Sequence, residues 1–363
     1  MSEGRTRASA YIEWAKTRSH SRFNLATSGV MNYPISELAV SIEDLELSGP
    51  SWYGYEPLQA ALAAKCTVRP ENVVAAIGTS MANYLAMAAL LEPGDEVAIE
   101  EPAYDPLLGI AEQLGARVAR FARQFEDGFR LDPQSIERVV SRRTRLIVLT
   151  NLHNPSGTLT DAQTLAQVGE IAVGIGARVL VDEVYLETLF DAAPRSAFHQ
   201  GECFVVTSSL TKAYGLSGLR CGWILADAKL AREIWRLNDL FGNIPAHPAE
   251  RLSVVALGQL EKISGRARNL LERNRTILTR FFETRGELIW QRPEAGTVSF
   301  PRLVGGRVDE LCAVLRDKYE TTVVPGRFFE MPAHFRLGIG CDTRMLEEGL
   351  TRLGSALDEV AGG

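Results

Sequence analysis

Lys212 stands in the run Ser208-Ser209-Leu210-Thr211-Lys212-Ala213-Tyr214-Gly215-Leu216-Ser217-Gly218-Leu219-Arg220. One lysine lies among small hydroxyl residues and glycines, with an arginine further on at Arg220. A lysine amine can form a Schiff base with an aldehyde, while hydroxyls and a guanidinium hold a phosphate. A phosphorylated aldehyde such as pyridoxal phosphate would use both halves of the run. The run by itself is also compatible with a surface loop carrying an ordinary solvated lysine.

Three upstream features carry related chemistry. Gly78-Thr79-Ser80 follows an apolar run and opens a helical stretch. Backbone N–H groups at a helix start, aided by the helix dipole, make an anion site. A plain helix N-cap would read the same way. Asn151-Leu152-His153-Asn154-Pro155-Ser156-Gly157 contains a turn on any reading. Its Asn154 amide could face a phenolic cofactor oxygen, whereas His153 reads as structural. Asp182 ends the run Val179-Leu180-Val181. A carboxylate buried there is costly unless paired, and a cationic ring nitrogen would pair it. Capping of the next helix is the alternative.

The elements that must position these residues are legible too. Val73–Ile77, Glu96–Ile99, Leu146–Leu149, Val179–Val181 and Phe204–Val206 are short apolar runs without polar alternation. They read as strands buried on both faces, as in a mostly parallel sheet sandwiched by helices. Ligands in such α/β folds bind beyond the strand C-termini. Thr79, Ser80, Asn154, Asp182 and Ser209 all follow one of these runs, so they are candidates for one shared site. A helix is expected over roughly Ala8–Arg18, and another long helical stretch over Pro248–Arg285, interrupted near Ser264-Gly265. The expected organisation is a large domain over 49–270 and a smaller α+β domain made of 1–48 and 271–363.

Composition narrows the class. The chain has 363 residues, 46% of them hydrophobic and 23% charged, as expected of a globular protein with two cores. A net charge of −6 argues against a nucleic-acid partner bound by phosphate neutralisation. No apolar run is long enough for a bilayer, and the N-terminus lacks the apolar stretch of a secretory signal. Cys66, Cys203, Cys221, Cys312 and Cys341 are scattered and odd in number. They suit reduced thiols in a cytoplasm better than disulfides or a metal site, and the five histidines form no ligand cluster.

Taken together, NLHNPSG, VDEVY and SSLTKAYGLSGLRCG resemble the class I/II aminotransferase family of fold-type I pyridoxal phosphate enzymes. IGTSMANYLAMAALLEPGDEV, EEPAYDPL and VVPGRFFEMPAHFRLGIG support the resemblance, which spans about Tyr53 to Ile339. It implies pyridoxal 5′-phosphate as cofactor. Lys212 would carry it and shuttle the substrate proton. Asp182 would hold the pyridinium N–H. Asn154 and Tyr185 would bond the 3′ oxygen, Tyr104 would stack on the ring, and Ser209, Thr211, Arg220, Thr79 and Ser80 would hold the phosphate. Arg336 would take the substrate α-carboxylate, with Asn154 and Gly29 (or Ser28) beside the substrate. A homodimer is implied as well.

The chain departs from the family pattern around the substrate. Many relatives place a tyrosine several residues before the position of Gly54, reaching the neighbouring subunit. Here Trp52, Tyr53 and Tyr55 crowd Gly54. The common serine after the arginine-leucine pair is Gly338. The expected activity is transfer of an amino group between an L-amino acid and a 2-oxo acid. A carbon–sulfur β-lyase is the alternative, and a non-catalytic regulatory module is disfavoured by the acidic charge. For Arg336 the competing expectation is a structural salt bridge, for example with Asp342.

Overall fold

The computed structural model describes residues 8–293 and 295–361. Its centre is a seven-stranded sheet. The strands are β1 (Val73–Ile77), β2 (Glu96–Glu101), β3 (Arg117–Ala122), β4 (Thr144–Thr150), β5 (Arg178–Asp182), β6 (Phe204–Ser209) and β7 (Cys221–Leu225). Their spatial order is β1-β7-β6-β5-β4-β2-β3. The five apolar runs read from sequence all lie in strands, and pairs among β2 to β6 are parallel. Val97, Ile147, Val179 and Val205 have no solvent exposure, which is why these runs lack polar alternation.

Two strands lay outside the sequence expectation. β3 forms one edge and is only partly covered, so its arginines interrupt any apolar signal. β7 is antiparallel to both β1 and β6. That reversal matters for the site: β7 starts where its neighbours end. Cys221 pairs with Ile77 and Gly222 with Ser209, so Arg220 arrives at the same sheet edge as the strand C-termini. The fit is close enough to require a glycine. A Cβ on Gly222 would lie 2.5 Å from the Gly78 carbonyl carbon.

Two helices line the site, and a third shows where a sequence-expected break falls. α1 (Ala10–Thr17) is capped by Ser9, whose side chain accepts from the Ile12 amide. α2 (Gly78–Leu90) begins directly after β1. α3 (Leu260–Glu283) is preceded by a separate helix, His247–Leu257. The break therefore falls at Gly258-Gln259, not at Ser264-Gly265, which is regular helix. The reason is tertiary: Gln259 Oε1 accepts from Ala39 N and its Nε2 donates to Ala39 O, at 3.0 and 3.3 Å.

A second hydrophobic cluster includes Leu271, Leu278, Leu311, Phe335, Leu337 and Leu350. Beside it β8 (Val298–Ser299), β9 (Val324–Pro325) and β10 (Phe335–Gly338) form an antiparallel sheet in the order β8-β10-β9. The N-terminal segment is shared out. Phe23-Asn24 pairs with Thr321-Thr322 and Leu25 joins the second cluster, while Tyr33 and Leu38 pack into the sheet's cluster. Among the described residues no helix is long and apolar enough to cross a membrane.

Candidate active site

A cavity of about 410 Å³ opens at the C-terminal edge of the sheet. Lys212, Asp182, Asn154, Tyr185, Ser209, Thr211, Arg220, Thr79, Ser80, Tyr104 and Gly29 all line it. These residues come from separate stretches of sequence. Sheet topology unites them, because β1, β4, β5 and β6 end side by side and β7 begins there.

Asp182 is the last residue of β5 and is 4% exposed. Its Oδ2 accepts from Asn83 Nδ2 at 2.8 Å, and its Oδ1 accepts from the Val184 amide at 3.0 Å. Burial raises its pKa to about 6, opposed by those two hydrogen bonds. Lys212 follows β6. Its Nζ donates to Ser28 Oγ at 2.8 Å, and burial pulls its pKa below the ordinary lysine value. A lysine shifted this way is a better nucleophile and base near neutrality. Burial raises the pKa of Tyr185, opposed by the nearby Arg336 charge and the Ser28 hydroxyl. Gly29 runs alongside, and a Cβ there would sit 3.3 Å from both Cα and Cδ of Lys212. A side chain at 29 would crowd the lysine.

Arg336 stands behind Asn154. It is 1% exposed, yet among the described residues no carboxylate lies within ion-pair distance of it. Its Nη1 donates to Asn154 Oδ1 at 3.1 Å and its Nη2 to Tyr11 Oη at 2.6 Å. Its Nε has no partner among the described residues. The expected alternative, a bridge to Asp342, is not formed. Asp342 instead accepts from the amides of Arg344 and Met345. A buried guanidinium without a counter-ion is costly, so the position suits an incoming anion. The strand carrying it packs tightly against the N-terminal segment: Gly338 N donates to Leu25 O at 2.7 Å. A Cβ at Gly338 would lie 1.8 Å from the Thr27 carbonyl oxygen. That contact accounts for a glycine where relatives carry serine.

His153 is fully buried. Its Nε2 faces the Pro102 carbonyl at 3.0 Å and its Nδ1 the Ser156 hydroxyl at 2.6 Å. Burial holds its pKa well below the usual histidine value, so it stays neutral and structural. The aromatics at Gly54 do not reach the cavity. Tyr55 packs on His247 at 4.9 Å between ring centroids, and Trp52 and Tyr53 point outward, 87% and 54% exposed.

Sequence reasoning missed Tyr11, Trp14 and Asn83, all of which line the cavity. Asn83 had a signal: it lies four residues beyond Thr79, on the same face of α2. Tyr11 and Trp14 had a weaker one, an aromatic pair three apart on a short helix.

The donor set matches a phosphorylated pyridine aldehyde at both ends. At one end Thr79 Oγ1 is buried without a partner among the described residues. The first turn of α2 has no side-chain cap; its Gly78 amide donates to the Arg220 carbonyl at 2.8 Å, and Thr79 and Ser80, which follow, line the cavity at a helix start that favours an anion. Among the described residues Arg220 spends its guanidinium on the carbonyls of Ser217 and Ile77, at 3.2 and 3.3 Å. At the other end Asp182 offers a buried carboxylate for a ring N–H, and Lys212 an amine. The residues fit such a group.

Comparison with known proteins agrees. The profile of the family "Aminotransferase class I and II" matches residues 40–353. Capreomycidine synthase of Streptomyces vinaceus is 32% identical over 366 residues, covering 97% of this chain and 94% of that protein. Arginine–pyruvate transaminase of Pseudomonas aeruginosa is 28% identical over 304 residues, covering 81% and 77%. The crystal structure of a PLP-dependent aminotransferase from Streptococcus suis superposes with a TM-score of 0.92 at 26% identity, covering 98% of both chains. The chain belongs to the class I and II aminotransferase family, whose cofactor is pyridoxal 5′-phosphate and whose reaction is transamination.

Proposed function

We propose that this protein moves an amino group between an L-amino acid and a 2-oxo acid, using Lys212, Asp182 and Tyr185 as its catalytic residues. One observation carries the reading. A buried guanidinium with no carboxylate partner among the described residues, Arg336, is hydrogen-bonded to Asn154, which lines the same cavity as the amine of Lys212. An α-amino acid has the two groups such a cavity would address.

When bound, pyridoxal phosphate supplies an electron sink for the electron pair left at the substrate Cα. The chain's residues do the rest. Thr79, Ser80, Ser209, Thr211 and Arg220 hold the phosphate. Asp182 keeps a proton on the ring nitrogen, and Asn83 holds Asp182 in place. Tyr104 covers a ring face. Asn154 and Tyr185 bond the 3′ oxygen. Arg336 grips the α-carboxylate through a two-pronged contact, which fixes the Cα–H direction. Lys212 Nζ then takes the Cα proton, and Gly29 leaves the space in which it moves.

The working form is proposed to be a cytoplasmic homodimer, with a large domain over 49–270 and a small domain over 1–48 and 271–363, the stretch around Tyr33 and Leu38 lying against the large domain's core. Exposed Ile42, Leu47, Trp52, Leu240 and Phe241 support a partner surface, and five free thiols suit a reducing compartment. The test is a half-reaction. Excess amino acid should convert the bound cofactor to its amine form once per site, and a 2-oxo acid should reverse it. Continuous release of ammonia without any 2-oxo acid would refute amino transfer.

A further inference from the structure

We infer that the amino acid used by this site carries an uncharged, apolar or aromatic side chain, seated against α1. The inference rests on the amino-transfer reading above and adds the substrate class to it.

The charged residues lining the cavity are Asp182, Lys212 and Arg220, with Arg336 directly behind Asn154. All four are already engaged. Asp182 serves the ring nitrogen and Lys212 the amine chemistry, while Arg220 holds phosphate and Arg336 the α-carboxylate. Among the described lining residues none remains to neutralise a charged side chain. A carboxylate or ammonium brought into this space would lose its water without gaining a partner.

The apolar part of the remaining wall is built largely by one element, beside the uncharged Ser19, Thr27, Asn32 and Ser217. Tyr11, Ile12, Trp14 and Ala15 of α1 all line the cavity. The wall is joined to the carboxylate position at one residue, since Tyr11 Oη accepts from Arg336 Nη2 at 2.6 Å. A substrate held by Arg336 therefore has the Tyr11 ring beside it. The helix is pinned in place. Ser9 Oγ donates to Asp105 Oδ2, and the Tyr11 amide reaches the same oxygen at 3.4 Å. Trp14 packs on Phe328 with ring centroids 5.5 Å apart, and Tyr11 meets Tyr104 edge-on at 5.8 Å. A fixed aromatic wall favours side chains that give up water readily.

Unreactive carboxylic acids test this without any amino transfer. The holoenzyme is titrated calorimetrically with 3-phenylpropionate, glutarate and 4-guanidinobutyrate. The apolar acid should bind at least about tenfold more tightly than either charged one. Ile12→Arg places a cation in the wall and should raise glutarate affinity about tenfold relative to 3-phenylpropionate. Trp14→Ala should weaken 3-phenylpropionate several-fold more than propionate. Tighter binding of glutarate by the unmodified protein overturns the inference. So does tighter guanidinobutyrate binding, which would mean a cation stacked on the aromatic wall. An unchanged ratio in Ile12→Arg, or equal losses in Trp14→Ala, removes the role of α1. If the acids bind as expected but no amino acid converts the cofactor, amino transfer alone fails.

Discussion

Asn83 Nδ2 donates to Asp182 Oδ2 at 2.8 Å, and the orientation of that amide is fixed by a third residue. Thr207 Oγ1 donates to Asn83 Oδ1 at 2.5 Å, which turns the NH₂ group toward the carboxylate. Thr207 pairs with Asp182 across β5 and β6, so the sheet register itself sets this relay. Asp182 thus keeps one oxygen tied to α2 and one to the Val184 amide while its charge faces the cavity.

Removing that tie should weaken the cofactor site. Asn83→Ala leaves Asp182 Oδ2 without its donor and raises the carboxyl pKa further. Losing a buried hydrogen bond to a charged group costs about 1.5–3 kcal/mol. Pyridoxal phosphate affinity, measured by titrating apoprotein, should fall about tenfold or more, with the fold unchanged by circular dichroism. Normal affinity would assign Asn83 to packing alone.

The covalent position of the cofactor is set by Lys212. Borohydride reduction of the holoenzyme followed by peptide mapping should label this lysine. Lys212→Ala should lose the label while keeping its thermal stability within about 1 kcal/mol, a modest change for a partly buried side chain. A label on another lysine would refute the assignment.

Much of this site is legible in the sequence. Asp182, Asn154 and Ser209 each follow an apolar run, and buried parallel strands announce their ends by the polar residue that comes next. Arg220 is legible from the lysine run, but its route to the phosphate end is not, because that depends on β7 running antiparallel. The groups that sequence reasoning misses act across long separations. Tyr11 meets Arg336 through a contact spanning 325 residues, which no local pattern encodes. The helix break at Gln259 is hidden for the same reason, since its partner is Ala39.

A buried pair below the site should matter for stability. Arg123 Nε lies 3.2 Å from Glu100 Oε2, and both side chains are fully buried. Glu100 Oε1 accepts from both the amide and the hydroxyl of Thr150, and the Thr150 hydroxyl in turn accepts from the Asn154 amide. Glu100→Ala strands the Arg123 charge and should destabilise the protein by about 3–5 kcal/mol. Denaturant unfolding of the apoprotein measures this. A loss under about 1 kcal/mol would mean that water or rearrangement replaces the pair.

Arg336→Lys separates charge from fork geometry. The lysine keeps the positive charge but cannot hold a carboxylate with two parallel donors, and it frees Tyr11 and Asn154. Losing charge-assisted hydrogen bonds of about 1.5–3 kcal/mol should raise KM for the amino acid roughly ten- to a hundredfold. The cofactor spectrum should not change. An unchanged KM would mean that the substrate carboxylate is bound elsewhere.

Asp182 gives the cofactor site a pH dependence whose sign can be worked out. Burial raises its apoprotein pKa to about 6. The ionised form pairs with a cationic ring nitrogen, and the protonated form does not. Above pH 6 the carboxylate is already ionised, so this group adds no slope to cofactor affinity. Below pH 6 a proton must leave Asp182 on binding, and affinity should fall by up to about tenfold per pH unit. The cofactor phosphate itself takes up a proton near about pH 6, which adds its own slope. Asp182→Asn shares the phosphate contribution but has no proton to lose. Affinity measured from about pH 5 to 8 in both proteins should therefore diverge in the acid range, with the unmodified protein falling more steeply. Parallel curves would show that Asp182 stays ionised throughout that range, or that it does not face the ring nitrogen.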